Sequence, residues 1–184
     1  MSNDQLTLPR TQQGPATISR AQSAPPALPA DIDWNDVRQQ FAPNANEKEF
    51  SLFMGIAKSY GLNPFKREIH FSKYGNQAST IVGYEAFLKR AERTGLLDGW
   101  GVELGKDDLG EKATITIHRK DQKNPFIWSV YRQEFDTGKS TWAKMPLFML
   151  RKVAIGQGFR LCFPEELGGM PYLAEEITGQ NEDE

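Results

Sequence analysis

The sequence predicts an α+β fold built around an antiparallel sheet. Three observations carry that reading. Apolar residues recur at helical spacing in the segments before, between and after two blocks that alternate apolar with polar residues. Within each block, the strand-like runs are joined by short Gly, Asn and Asp turns, which suit hairpins and meanders. The order helices, hairpin, helix, meander, long helix is not the strand–helix alternation of a dinucleotide-binding fold.

The elements follow in order. Residues 1–30 hold five of the eleven prolines among Gln, Ser, Thr and Ala, with no aromatic residue. Such a segment buries too little surface to offset its ordering entropy, and a disordered arm is expected. The folded domain is expected over 31–178, with a flexible acidic tail at 179–184. Asp33 can cap a short helix through Phe41, with Val37 and Phe41 on one face. Asn46 caps a second helix whose stripe Phe50, Phe53, Met54, Ala57 and Tyr60 reads as core, and Gly61 stops it. Glu68–Lys73 and Ala78–Val82 flank the turn Tyr74-Gly75-Asn76-Gln77 and predict a hairpin. From Tyr84 the period is helical, with Phe87, Leu88 and Ala91 facing one way, until Gly95.

Three strands are expected next, at Gly99–Leu104, Ala113–Arg119 and Phe126–Glu134, as an antiparallel meander with one wet face carrying Thr114, Thr116 and His118. Lys139–Met145 reads as a loop. Pro146 opens a long helix with Leu147, Leu150, Ala154 and Leu161 along one side, and Pro164 ends it. Gly156 and Gly158 either weaken this helix or permit close backbone approach.

Charge is segregated along the chain. The formal total is −2, but residues 165–184 carry seven acids and no base, and residues 137–164 carry five bases and no acid. A basic face hidden in a near-neutral total suits a polyanion, although a solvated helix face has the same composition. No apolar run reaches the roughly 18 residues of a membrane span. No secretory leader pattern precedes the domain. A cytoplasmic protein without a membrane partner is therefore the expectation. The one cysteine, Cys162, excludes an intrachain disulfide and a cysteine-rich zinc site.

Catalytic chemistry finds little footing. His70 and His118 stand far apart in strand candidates without a second metal ligand at useful spacing. Cys162 lies between Leu161 and Phe163 and reads as core. Asp121-Gln122-Lys123 has the Asp-x-Lys spacing of some metal-dependent nucleases, but it sits in a turn before Asn124-Pro125, where Asp and Lys are expected on turn chemistry alone. No enzyme, cofactor or metal is expected.

Binding residues are better represented. Lys66 and Arg67 precede the hairpin, and Lys73 ends its first strand. Lys139, Trp142 and Lys144 share a segment, and Arg151, Lys152, Gln157 and Arg160 lie on the long helix. Cations interleaved with aromatics fit single-stranded nucleic acid: the cations neutralise phosphates, and ring faces stack on bases without reading them. Competing roles stay open, namely a core anchor for Trp142 and a salt bridge to the acidic C-terminal residues for Arg151 or Arg160.

Four segments together resemble one family. Gly61-Leu62-Asn63-Pro64-Phe65 with Glu68-Ile69, Ile81-Val82-Gly83-Tyr84-Glu85-Ala86-Phe87, Ile115-Thr116-Ile117-His118-Arg119-Lys120-Asp121, and Trp142 with Met145-Pro146, Met149-Leu150-Arg151-Lys152-Val153-Ala154 and Phe159-Arg160-Leu161 are similar, in order and spacing, to the phage Bet (Red-beta)/RecT single-strand annealing proteins. The resemblance covers roughly residues 33–178. It implies an ATP-independent protein of phage recombination, acting in the bacterial cytoplasm. Such a protein binds single-stranded DNA and the annealed duplex, assembles into homo-oligomeric rings or helical filaments, and works with a phage 5'-3' exonuclease. By matching position it makes Arg67, Lys73, Trp142 and Arg160 DNA contacts. Charge and proximity alone add Lys66, Lys139, Lys144, Arg151, Lys152 and Gln157. Leu147-Phe148 stand where some relatives have two bases, which suits packing on a neighbouring subunit. Longer relatives carry a further C-terminal domain linked to partner binding, and here docking of an exonuclease or a host single-strand binding protein is expected either to be lost or to move to the arm at 1–30. The rival readings are a single-strand protector that does not anneal, a metal-dependent nuclease built on Asp121 and Lys123, and a purely structural phage oligomer.

Overall fold

The computed structural model describes residues 28–30 and 32–177. The tail expected at 179–184 lies outside the described residues, as does the arm expected at 1–30 apart from its last three. Helix α1 (Trp34–Phe41) is capped by Asp33, whose carboxylate accepts the N–H of Asn35 at 2.8 Å. Helix α2 (Glu47–Tyr60) begins with a reciprocal cap, in which the Asn46 side chain accepts from Glu49 N–H and Glu49 accepts from Asn46 N–H. It ends on Gly61 in the left-handed conformation (φ 58°), where glycine carries no Cβ penalty. Phe50, Phe53 and Ala57 are buried as their spacing predicts.

Strands β1 (Ile69–Tyr74) and β2 (Gln77–Val82) form the expected hairpin, with Ile69 opposite Val82 and Tyr74 opposite Gln77. Helix α3 (Tyr84–Arg93) follows at once, and Ala86, Phe87 and Ala91 are buried along it. The meander comprises β3 (Leu97–Asp107), β4 (Gly110–Arg119) and β5 (Phe126–Tyr131), ordered β3-β4-β5. The first two strands run longer than the sequence suggests, because pairing continues to Asp107 opposite Gly110 and leaves a turn of only two residues. The third is shorter, since residues 132–134 close into a 3₁₀ turn. Ala113, Ile115, Ile117 and Val130 fill the inner face, and Thr114 on the wet face shares a 2.8 Å hydrogen bond with Ser129.

The segment expected as a loop at 139–145 instead holds a short helix, α4 (Ser140–Lys144), which Trp142 anchors in the core. Helix α5 (Pro146–Cys162) packs across the inner face of the meander and against α3, and α6 (Pro164–Leu167) follows it. The side of α5 expected to be buried is buried only in part. Leu150 and Ala154 are fully buried, whereas Leu147 and Leu161 are 43% and 48% exposed. Four consecutive residues, Val153–Gly156, are buried, so the middle of the helix is enclosed all round while its ends emerge. Burial here follows position along the axis more than angular side. The glycines allow that enclosure: an added Cβ would overlap Ile115 at Gly158 and Leu173 at Gly156. Among the described residues, no helix is long and apolar enough to cross a membrane.

Candidate nucleic-acid interface

A 3₁₀ turn, Pro64–Lys66, precedes β1 because the Asn63 side chain accepts the N–H groups of Phe65 (2.9 Å) and Lys66. The turn closes on Arg67, which is held at φ 56° with its N–H bonded to the Pro64 carbonyl. This displays Lys66 and Arg67 outward beside the first turn of α3. A cleft of about 570 Å³ opens there, and Lys66, Arg67, His70, Tyr84, Lys89 and Lys152 contribute to its walls. A second cleft of about 270 Å³ lies between the start of α4 and α5, and Lys139, Ser140, Thr141 and again Lys152 contribute to its walls. The two clefts share Lys152, Ala174 and Glu175, so they meet at that point.

Among the described residues, only Arg67 and Ser140 have positive φ without being glycine, at 56° and 50°. One lies on each cleft. Left-handed backbone at a residue with a Cβ costs about 1–2 kcal/mol and persists only where the surroundings over-determine it, which is a mark of functional sites.

Acids share the groove. Glu68 accepts from Asn63 N–H (3.0 Å) and from the Lys89 ammonium (2.9 Å). Burial pushes its carboxyl up, but those two donors outweigh it and hold it below the ordinary glutamate range. The Lys152 ammonium donates to Glu175 and lies over the ring faces of Phe148 (5.2 Å) and Tyr84 (5.9 Å).

The ten residues singled out from the sequence fall into distinct places. Lys66, Arg67, Lys139 and Lys152 come together on the groove, and Lys66, Arg67 and Lys139 are exposed with no ion pair among the described residues. Lys144 and Arg151 are likewise exposed with no ion pair among the described residues, but line neither cleft. Trp142 is 6% exposed and has taken the anchoring role, while its segment still borders the second cleft. Lys73 donates to both oxygens of Glu49 at 3.0 and 2.9 Å, which ties the hairpin to α2. The Asn46 N–H and then this ammonium hold the Glu49 carboxyl below its ordinary value. Gln157 accepts from Trp128 Nε1 at 3.0 Å, on the β5 side of α5. Arg160 makes the salt bridge to the C-terminal acids, at 2.7 and 3.0 Å from the two Glu176 oxygens, and its guanidinium lies between the rings of Phe87 (5.1 Å) and Tyr172 (4.7 Å).

Sequence reasoning missed His70, Lys89 and Tyr84. The signal was present: Gly83 alone separates the hairpin from α3, so the first turns of that helix must lie beside the start of the hairpin. Asp121 pairs with Arg119 at 2.7 Å in its turn, and among the described residues no three His, Cys, Asp or Glu converge as a metal site.

Fold and groove together define an α+β protein that presents cations and aromatic rings along a surface channel. The RecT family profile matches residues 30–184, and the chain belongs to that family. It is similar to the recombination protein bet of Escherichia phage lambda, 29% identical over 134 residues, covering 67% of this chain and 50% of that protein. The chain thus spans about half the length of the curated relative it matches.

Proposed function

We propose that this protein binds single-stranded DNA and anneals complementary strands without ATP, as a recombination protein. The observation that carries the reading is the groove joining Lys66, Arg67, Lys152 and Lys139 in a chain of the RecT family. Exposed cations there neutralise successive phosphates, with an affinity that falls as salt rises. Phe148, 45% exposed and adjacent to Lys152, offers a ring face for a base.

No covalent step is needed. Pairing is slow because two polyanions repel and each strand folds on itself. A groove that holds one strand extended by its phosphates leaves base edges free to sample register with a second strand, and base pairing supplies the free energy. Many weak contacts on neighbouring subunits then retain the nascent duplex through multivalency. Assembly into a ring or filament is part of this proposal. Exposed apolar side chains at Leu52, Met145, Leu147 and Leu161 are compatible with it. An exonuclease that generates the single strands is the proposed partner.

The test is the rate at which two complementary oligonucleotides hybridise in chelator without nucleotide. Acceleration by the protein is expected. Slowed hybridisation with retained binding would identify a protector instead, and cleavage appearing with Mg²⁺ would identify a nuclease.

A further inference from the structure

Lys152, the cation common to both clefts, is already occupied by an anion of the protein's own. The segment after α6 returns over α5 and is fastened at three points. The Tyr172 carbonyl accepts the Val82 N–H at 3.2 Å. Leu173 is fully buried and rests on Gly156, where any side chain would displace it. Glu176, 3% exposed, accepts from Leu173 N–H at 2.8 Å and from Arg160. Its neighbour Glu175 is placed differently: its carboxylate pairs with Lys152 at the junction of the two clefts. Adjacent carboxylates therefore meet two different bases, the Glu176 pair sealed under the strap and the Glu175 pair lying where the clefts meet.

We propose that Glu175 is an internal stand-in for a backbone phosphate. It fills the phosphate position at Lys152 in the free protein and is displaced by an entering polynucleotide, while Arg160–Glu176 stays closed as the anchor of the strap. The proposal rests on the groove being the DNA-binding site.

Carboxylate and phosphate both present singly charged oxygens to an ammonium, so the exchange keeps one ion pair and the charge of Lys152 is never left bare. A tethered carboxylate has a high effective concentration, which a lone phosphate from solution does not match. A strand already held by Lys66, Arg67 and Lys139 delivers its next phosphate on equal terms. The strap therefore discriminates by length: short oligonucleotides and free phosphate leave it shut, and longer strands open it.

The experiment measures binding of the full chain to oligothymidines of graded length by fluorescence anisotropy. Glu175→Gln is expected to tighten binding about fivefold, the size of one partly exposed ion pair, with the larger gain on shorter strands. Adding Lys152→Gln to that variant removes the gain. Glu176→Gln lowers the melting temperature without tightening binding. In the unaltered protein, hydrogen exchange at the Ile177 amide, which bonds to the Ala174 carbonyl across Glu175, speeds up on saturation with oligothymidine. Glu175→Gln binding no tighter at any length while melting normally overturns the proposal. So does unchanged or slowed exchange at that amide, which decides the matter if the variant does not fold. If neither the unaltered protein nor Glu175→Gln binds oligothymidine at low salt, the DNA-binding reading itself falls, and this one with it.

Discussion

Arg67 carries two separable properties, a left-handed backbone and an exposed guanidinium. Arg67→Gly relieves the first and removes the second. Relief of strain and the added chain entropy of glycine are of similar size, so stability stays within about 1 kcal/mol by denaturant titration. Binding to single strands weakens nonetheless, and the slope of log K against log salt falls by about 0.7. Glu68 gives a pH prediction. Its carboxyl lies below its ordinary value in the fold, so its stabilising contribution is complete above that ordinary value of about 4.3 and is lost as pH falls through the lower, folded one. Glu68→Gln should therefore lower the melting temperature at neutral pH, and the gap from the unaltered protein should close under acid, as read by calorimetry across pH.

At the scale of elements, α5 governs the fold because it is enclosed through its middle. Gly158 faces Ile115, which is fully buried and has nowhere to move. Alanine there gains about 1 kcal/mol of helix propensity but overpacks a closed interface, so Gly158→Ala should destabilise by about 1–2 kcal/mol net in urea. The β1–β2 hairpin is a lighter element, tied to α2 through Lys73 and Glu49. Lys73→Gln should speed hydrogen exchange in β1 and β2 more than it weakens DNA binding. The reverse result would return Lys73 to the groove as a direct contact.

For the whole molecule, the exposed cations of the groove are not residues that hold the fold, so the two contributions can be separated. Lys66, Arg67 and Lys139 bear no ion pair among the described residues and line the two clefts. Replacing all three by alanine should reduce the salt slope of single-strand binding by about 2 while leaving the melting temperature in place, as checked by anisotropy and calorimetry on the same preparation. Arg160 behaves oppositely, because its guanidinium is enclosed between two rings with Glu176. Removing it leaves a buried carboxylate uncompensated, and the thermal stability falls together with any effect on binding.

The sequence by itself determined most of the helices and strands, because caps, periodicity and turn residues act over a few neighbours. Asn46, Gly61, Pro146 and the alternation of Thr114–His118 all signal locally. It also showed where basic residues concentrate. It did not show the helix at 140–144, whose formation depends on the burial of Trp142. Nor did it assign partners. Lys139 and Arg160 look alike as charged residues in one basic run, yet one lies on the groove with no ion pair among the described residues and the other is sealed against Glu176. Only tertiary structure decided that, because a salt bridge depends on which distant segment returns across the helix, and that return is fixed by Leu173 fitting over Gly156.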